Sequence, residues 1–432
     1  MVSGKNYTGL TQEWQGDEVA LKIAMLSYHT CPLATLGGKD TGGMNVYVRD
    51  LTRTLGALGV HVDVFTRSQD EHVPHVLHDL GYGNRVVHIK AGQEVPLPKQ
   101  DLLSFVPEFF TGIEEFASIK DLEYDLIHSH YWLSGLAAIE LKQKWGVPFV
   151  HMFHTLGVMK QRVARPDEEV EGDYRLSGEI RVLEEADCII AATPAEMAQI
   201  QWLYQANTQK IAIIPPGVDL SRFYPIPADE AKEVIGVPPC DQMLLYVGRI
   251  EPLKGIDTLI EAIAYIRRND GFEGNSFCLA VIGGEPDLSS DDMNVEMARL
   301  KDLCHEHGLD DLVTFLGKRD QDTLPYYYSA AEAVVVPSHY ESFGIVALEA
   351  MACGTPVVAS QVGGLAYLVQ DGVTGYTVPS SDVKALADRI AELIKNPQLR
   401  DRLGEQAAAV AQEFSWEIIA KRILNLYQEA LS

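Results

Sequence analysis

Two glutamates, Glu341 and Glu349, have seven residues between them within residues 339–358, a stretch that reads as a loop followed by a helix. The apolar runs 333–336 and 356–359 predict a buried parallel strand on either side. In sheets of this kind, ligands bind beyond the carboxyl ends of the strands and at helix N-termini. A carboxylate in such a place cannot hold a phosphate, but it accepts hydrogen bonds from the hydroxyl groups of a sugar or a ribose.

A glycine-rich turn, residues 37–43, offers a different kind of contact. It lies between a predicted strand, 21–27, and a predicted helix, 44–58, and a second strand, 60–66, completes a βαβ unit. Glycines here let backbone N–H groups approach a phosphate, with the helix N-terminus behind them. The spacing is not G-x-G-x-x-G, so the fingerprint of a nicotinamide dinucleotide site is absent. A merely flexible loop is the alternative interpretation.

Polar side chains also follow other predicted strands. The strand 125–128 runs into His128-Ser129-His130-Tyr131-Trp132, and the strand 148–152 into Phe153-His154-Thr155. His128 and His130 resemble metal ligands, but no third His or Cys stands at ligand spacing, so structural hydrogen bonding is the preferred interpretation.

Strands and helices alternate along two series, which predicts an α/β fold with two doubly wound, Rossmann-like domains. The run Pro215-Pro216-Gly217 breaks the alternation and is the predicted linker. The proposed division is an N-terminal arm at 1–20, a first domain at 21–214, a linker at 215–220, a second domain at 221–413 and a C-terminal amphipathic helix at 414–432.

Charge and composition narrow the range of partners. The chain of 432 residues has 61 acidic and 35 basic residues, a formal charge of −26. This balance argues against nucleic acid and against stable binding to an anionic membrane. The six cysteines show no metal-ligand spacing and predict reduced thiols. With no signal core or membrane-spanning run, a cytoplasmic location is expected.

The motifs together resemble the retaining glycosyltransferases of family 4, which have the GT-B fold. The resemblance rests on Arg249 with Lys254 and on Glu341 with Glu349, placed between Pro-Ser-His-Tyr and Ala-Cys-Gly-Thr-Pro-Val-Val. The segments Asp-Thr-Gly-Gly-Met-Asn-Val-Tyr-Val and His-Ser-His-Tyr-Trp-Leu-Ser-Gly are similar to the branch that holds sucrose-phosphate synthases and mycothiol-pathway inositol-phosphate glycosyltransferases.

The resemblance implies a cleft between two domains, with the terminal helix returning to the first domain. It implies a nucleotide sugar as donor, with UDP-glucose preferred, and no metal or other cofactor. The implied catalytic residues are His154, Arg249, Lys254 and Glu341. The implied donor-binding residues are Gly42, Gly43, Arg249, Lys254, Ser342, Phe343, Gly344 and Glu349.

Each donor-side residue has an implied role. Arg249 and Lys254 neutralise the diphosphate as the glycosidic bond breaks, which is the kind of charge stabilisation that contributes most to catalysis. Glu349 accepts hydrogen bonds from the ribose, and Glu341 binds hydroxyls of the hexose. His154 contacts the hexose near the reacting carbon. In the family pattern, no Asp or Glu of the first domain matches the nucleophile of retaining hydrolases, and the leaving diphosphate is expected to help deprotonate the acceptor.

The acceptor side follows from the same resemblance. Lys99, Tyr131, Thr155 and Arg175 match a phosphate-binding set of two cations and two hydroxyls, and Asn45 matches a residue that meets acceptor hydroxyls. A phosphorylated small molecule is therefore the expected acceptor. Fructose 6-phosphate, giving sucrose 6-phosphate, is preferred because the chain, with many Gln, Ile and Lys residues, does not resemble the Ala- and Arg-rich proteins of the mycothiol-producing lineage. Transfer of N-acetylglucosamine from its UDP derivative to inositol phosphate is the alternative.

Other classes remain as alternatives. A GT-B epimerase or hydrolase would need an additional acid or base at the anomeric position, and none is identified. A non-catalytic nucleotide-sugar sensor would be expected to lack Arg249, Lys254 or Glu341, and all three are present. A homodimer is left open as the assembly.

Overall fold

The structure is a computed structural model that describes residues 21–35, 41–164, 172–236, 242–269, 277–284 and 291–432. The predicted N-terminal arm and the first part of the glycine-rich turn, residues 37–40, lie outside the described residues.

The first half of the chain forms an eight-stranded sheet in the order β3-β4-β2-β1-β5-β6-β7-β8. All pairings are parallel except that of β3 with β4. Its strands are β1 Lys22–Leu26, β2 His61–Arg67, β3 Val76–Leu77, β4 Arg85–Ile89, β5 Leu126–His130, β6 Phe149–Met152, β7 Cys188–Ala191 and β8 Ile211–Ile213. Its helices are α1 Gly43–Ala57, α2 Lys99–Leu102, α3 Val106–Ile119, α4 Trp132–Trp145, α5 Gly157–Val163, α6 Asp173–Glu185 and α7 Pro194–Tyr204.

The second half forms a six-stranded parallel sheet in the order β11-β10-β9-β12-β13-β14. Its strands are β9 Gln242–Val247, β10 Phe277–Ile282, β11 Val313–Gly317, β12 Ala333–Val336, β13 Val357–Ser360 and β14 Gly375–Val378. Its helices are α8 Ala228–Ile235, α9 Ile256–Asn269, α10 Asp291–Glu306, α11 Leu324–Ala330, α12 Ile345–Ala352, α13 Leu365–Leu368, α14 Val383–Lys395 and α15 Pro397–Ala411.

The two sheets have the same plan. In each sheet, the first strand in sequence lies in the interior. The strands that come next in the chain add on one side of it, and the later strands add on the other side. The direction of strand order therefore reverses between β1 and β5 and between β9 and β12. The strands are largely buried on both faces, as their near-continuous apolar runs require. The predicted fold, two doubly wound α/β domains, is confirmed.

The last helix, α16 Trp416–Leu431, belongs to the second half by sequence but packs on the first. The hydroxyl of Tyr427 lies 2.6 Å from Nδ1 of His128, and Arg422 donates to the carbonyl oxygen of Ile213 at 2.7 Å. The Trp416 ring meets the Tyr47 ring edge-on at 5.3 Å. The return of the terminal helix to the first domain is thus present in the structure.

Three local predictions differ from the structure. The sequence predicts a mobile loop for the charged stretch 161–172, but residues 161–163 lie in α5, and residues 165–171 lie outside the described residues. The edge strands β3 and β14 carry little of the apolar pattern that reveals a strand and were not predicted. Cys31, Cys188, Cys304 and Cys353 are free, but Cys278 is disulfide-bonded, so the expectation that every thiol is reduced is wrong for that residue.

Across the described residues, no helix is both long enough and apolar enough to cross a membrane.

Candidate active site

A cleft between the two sheets collects the loops that follow the strands at the two reversal points. The first sheet contributes the segments after β1, β5 and β6, and the second contributes those after β9 and β12, as expected for a site at such points. Of the residues predicted from the sequence, those that line the cleft are Gly42, Gly43, Asn45, Lys99, Tyr131, His154, Thr155, Arg249, Lys254, Glu341, Ser342, Phe343, Gly344 and Glu349.

The glycine turn lies directly opposite the second domain. A Cβ atom on Gly42 would be 3.8 Å from Nε of Arg249, and one on Gly43 would be 3.2 Å from Cδ1 of Ile345. Asn45 shapes this turn: its Oδ1 accepts from the Gly42 N–H at 2.9 Å, and its amide nitrogen donates to Oγ1 of Thr30 at 2.7 Å. Larger residues at 42 or 43 would therefore occupy space between the domains.

Two cations of the second domain line the cleft, and each is paired with a carboxylate. Nζ of Lys254 is 2.6 Å from Oε2 of Glu341, and an Nη atom of Arg249 is 2.7 Å from Oε1 of Glu251. Gly255, which follows Lys254, has φ +65°, and a Cβ atom there would be 2.2 Å from the Pro337 carbonyl oxygen. Only glycine lets the Lys254 loop lie this close to the end of β12.

Glu349 lies on α12 and is buried. Its Oε2 accepts from the Tyr328 hydroxyl at 2.8 Å, and its Oε1 accepts from Nε2 of Gln321 at 3.4 Å. Burial raises the pKa of Glu349 to about 7, although both of these hydrogen bonds lower it. A carboxylate offers about four lone-pair directions, so two remain for the hydroxyls of a ligand.

The N-terminus of α12 also opens into the cleft. Gly344 precedes the helix with φ 103°, a conformation that glycine adopts without strain. The preceding Ser342 crosses to the first domain, where its hydroxyl donates to the carbonyl oxygen of His154. The backbone N–H groups at this helix start can bind an anion, as helix N-termini do.

Tyr131 and His154 both hold unusual backbone conformations at strand ends. Their φ angles are 71° and 60°, in the left-handed region that costs a non-glycine residue roughly 1–3 kcal/mol. Nε2 of His154 lies 3.0 Å from Nδ1 of His130, and burial lowers the pKa of His154. A neutral imidazole is thereby held at the cleft, able to donate or accept a hydrogen bond with a sugar hydroxyl.

The predicted acceptor residues form a group on the first-domain side, but Arg175 lies behind it. Lys99, Tyr131 and Thr155 line the cleft, whereas Arg175 is only 1% exposed. Its Nη2 donates to the backbone oxygen and to Oγ1 of Thr155, at 2.9 and 3.1 Å, and its guanidinium lies over the Tyr131 ring at 5.1 Å. In this structure Arg175 therefore positions Thr155 and Tyr131.

The buried histidines of the first sheet are paired with side chains. His128 contacts Tyr427, His130 contacts His154, and Nδ1 of His151 is 2.7 Å from the Ser129 hydroxyl. Within the described part of the chain, no group of three or more His, Cys, Asp or Glu side chains is arranged to hold a metal ion.

Several residues at the cleft were not singled out from the sequence. Three follow β11 and one follows β7, so the rule that strand ends build the site would have indicated them. A fifth, Tyr340, lies between the two parts of the motif, with its hydroxyl 3.5 Å from the Leu156 N–H of the first domain. These cleft residues are Glu196, Lys318, Arg319, Gln321 and Tyr340.

Two family models match the chain. Residues 41–222 match the model described as Glycosyltransferase Family 4, and residues 227–410 match the one described as Glycosyl transferases group 1. The two matches divide the chain close to the predicted linker.

Individual proteins match over nearly the full length. D-inositol 3-phosphate glycosyltransferase 2 of Catenulispora acidiphila is 40% identical over 95% of both chains, and D-inositol 3-phosphate glycosyltransferase of Saccharomonospora viridis is 41% identical over 95% of this chain and 94% of that one. Among solved structures, sucrose-phosphate synthase of Thermosynechococcus elongatus is 38% identical with a TM-score of 0.86, covering 95% of this chain and 98% of that one.

More distant structures share the fold. Anabaena HepE in complex with UDP and glucose is 21% identical, with a TM-score of 0.73, over 95% of this chain and 100% of that one. The family matches, the identities near 40% and the shared two-domain architecture all agree. The chain therefore belongs to glycosyltransferase family 4 and is a glycosyltransferase with the GT-B fold.

Proposed function

We propose that the protein is a retaining glycosyltransferase that moves glucose from UDP-glucose to the hydroxyl of a phosphorylated small acceptor, fructose 6-phosphate, giving sucrose 6-phosphate. The observation that supports this most directly is that one cleft is lined by Lys99, Tyr131 and Thr155 on one side and by Arg249 and Lys254 on the other. One cation with two hydroxyls on the first side and two cations on the second suit two phosphorylated substrates.

The donor is assigned to the second domain. The diphosphate would lie between Arg249, Lys254 and the amides of the glycine turn, and it would replace the carboxylate partners that these cations now have. Glu349 would accept from the ribose hydroxyls, and Glu341, released from Lys254, from the hexose hydroxyls. These assignments place the anomeric carbon near His154.

The reaction is proposed to take place on one face of the sugar. The bond from the anomeric carbon to the diphosphate oxygen breaks, the bond to the acceptor oxygen forms on the same side, and the acceptor proton passes to the leaving diphosphate. Arg249 and Lys254 would stabilise the charge that grows on the leaving group. The reaction needs no metal in this scheme, and the activity is expected to survive treatment with EDTA.

Inositol phosphate is the second candidate acceptor, with UDP-N-acetylglucosamine as donor. The names of the two inositol-phosphate relatives favour it, at 40% and 41% identity, whereas the sucrose-phosphate synthase structure at 38% favours the first. The phosphate-binding group suits either acceptor, and fructose 6-phosphate is preferred on composition.

A substrate panel tests the proposal. UDP-glucose, ADP-glucose and UDP-N-acetylglucosamine are each combined with fructose 6-phosphate, inositol 3-phosphate, fructose and inositol, and nucleotide release and product are followed. We expect release with UDP-glucose and fructose 6-phosphate and little with the unphosphorylated acceptors. Release without any acceptor would instead indicate a hydrolase, and transfer of N-acetylglucosamine to inositol phosphate would establish the second candidate.

The acceptor site has its own test. Lys99→Met should raise KM for the phosphorylated acceptor about tenfold or more, because one charge-assisted contact to phosphate is lost, while KM for the donor stays the same. Lys120→Met, at the exposed end of α3, is the control. An unchanged acceptor KM would remove Lys99 from the phosphate site.

A further inference from the structure

A buried glutamine, Gln321, lies where both domains and the linker meet. It follows β11 at the edge of the cleft and is 8% exposed. Its side chain reaches Arg49 of α1 in the first domain, Arg222 just beyond the linker, and Glu349 of α12. Among these partners, only Arg49 comes from the opposite side of the cleft.

The chemistry of its partners orients the Gln321 amide. Arg49 and Arg222 can only donate hydrogen bonds, so the amide oxygen must face them, and it accepts from Nη1 of Arg222 at 3.0 Å. The amide nitrogen must then face the Glu349 carboxylate, which only accepts when it is ionised. Contact with the arginines thus leaves Gln321 a single orientation toward Glu349.

The first domain holds Arg49 firmly. Its Nε donates to Oδ1 of Asp50 at 2.7 Å, and the two side chains are 13% and 7% exposed. Arg49 lies on the same helix whose first residue, Gly43, stands across from Ile345. Any opening of the cleft that carries α1 away must withdraw Arg49 from Gln321 together with the glycine turn.

We propose that Gln321 is a positioning residue that couples closure of the two domains to the orientation of Glu349, so that the nucleotide sugar binds most tightly when Arg49 is docked. Arg222 keeps the amide oriented in the open form, and Arg49 completes its contacts on closure. This inference rests on the proposed contact of Glu349 with the donor ribose. By thermodynamic linkage, a change that strengthens the contact between Arg49 and Gln321 also strengthens binding of the nucleotide sugar, and binding of the nucleotide sugar strengthens that contact.

The first test measures the affinity for UDP-glucose alone, without acceptor. Arg49→Met and Gln321→Met should each raise the dissociation constant about tenfold, the size expected for one hydrogen bond to a charged group. In the Gln321→Met background, Arg49→Met should add almost nothing, because the two residues act through one contact. Arg53→Met, one turn further along α1 and bonded to the Asp79 carbonyl, should leave the affinity unchanged.

The second test uses the pH dependence of UDP-glucose binding, since the phosphates of this donor do not titrate between pH 6 and 8. Gln321→Glu keeps an acceptor for both arginines but places a second carboxylate beside Glu349. The affinity at pH 8 should fall about tenfold or more and recover as the pH is lowered toward 6, because one proton shared by the two carboxylates restores a donor. The wild-type protein should show the opposite trend.

Several results would overturn this inference. They are an unchanged affinity in Arg49→Met, additive losses in the double variant, or the same pH trend in Gln321→Glu as in the wild type. A role in stability alone would lower the melting temperature of Arg49→Met without these binding effects. If the wild-type protein binds UDP-glucose but transfers glucose to no acceptor, the proposed function fails, while the coupling is still decided by the binding data.

Discussion

At the scale of single residues, the donor side of the cleft consists of charges that are already paired. Lys254 is paired with Glu341 and Arg249 with Glu251, all of them partly buried. A diphosphate entering between these cations exchanges one set of ionic contacts for another. The carboxylates therefore compensate the cations between turnovers. Without them, an unpaired and partly buried charge would cost free energy.

Replacement of Lys254 tests its predicted role in catalysis. Lys254→Met should lower kcat roughly 10²–10³-fold, the loss seen when one group that stabilises transition-state charge is removed. The measurement is steady-state kinetics with both substrates varied. Lys384→Met, which breaks an exposed ion pair with Asp388 on α14, should keep wild-type kinetics. A Lys254→Met enzyme with unchanged kcat would contradict the assignment.

Glu349 gives a prediction for pH. Burial raises its pKa to about 7, and a ribose hydroxyl donates best to the ionised form, which predominates above that value. The kcat/KM for UDP-glucose, with acceptor saturating, should therefore fall as the pH drops below about 7. Glu349→Gln should be weaker throughout and lose this dependence. A wild-type profile that is flat between pH 6 and 8 would argue against donor binding through Glu349.

At the scale of secondary-structure elements, α16 ties the end of the chain to the first domain. Its apolar face is buried, with Trp416, Ile419, Ile423 and Tyr427 all under 3% exposed. The linker packs closely against the start of this helix, since a Cβ atom on Gly217 would be 2.6 Å from Cδ2 of Trp416. The two crossings between the domains, at the linker and before α16, therefore lie against each other.

The contact between Tyr427 and His128 should contribute to this attachment. Tyr427→Phe removes the hydroxyl and leaves Nδ1 of the fully buried His128 without its partner, which should lower the free energy of unfolding by about 1–3 kcal/mol. Denaturant unfolding measures the change. Tyr82→Phe, at a ring that is 69% exposed, is the matched control and should have no effect. Equal stability of both variants would show that the hydrogen bond is dispensable.

At the scale of the whole molecule, buried titratable groups set opposing trends of stability with pH. Burial lowers the pKa of His128 to about 3 and those of His130 and His151 well below the usual 6.5. Each of these contributes stability that is lost as the pH falls from 6.5 through the folded-state value. Burial raises the pKa of Glu196 and Glu349 to about 7, and each contributes stability that is lost as the pH rises from 4.5 through 7.

The histidines should dominate below neutrality, because they are more numerous and their shifts are larger. The free energy of unfolding should therefore fall between pH 7 and pH 5. It is measured by denaturant unfolding at both values. An increase in stability over this interval would mean that the two glutamates outweigh the histidines.

The sequence by itself determined the architecture and most of the residues around the cleft. Apolar runs that alternate with helical segments predict parallel strands, and the carboxyl ends of parallel strands lie at one edge of a sheet. The residues that follow β1, β6, β9 and β12, such as Gly43, His154, Arg249 and Glu341, therefore had to come together once two such sheets faced each other. Family resemblance then named their roles.

Only the tertiary structure decided how these residues are held. Periodicity carries no information about which side chains meet across hundreds of residues, so the sequence did not indicate that Gln321 joins Arg49 to Glu349. Likewise, the family resemblance assigns Arg175 to the phosphate-binding set, but only the structure shows that its guanidinium lies behind Thr155 and donates to it. The physical reason is the same for both: apolar patterning fixes where a strand ends, but the partners of a buried polar group depend on the packing of the complete fold.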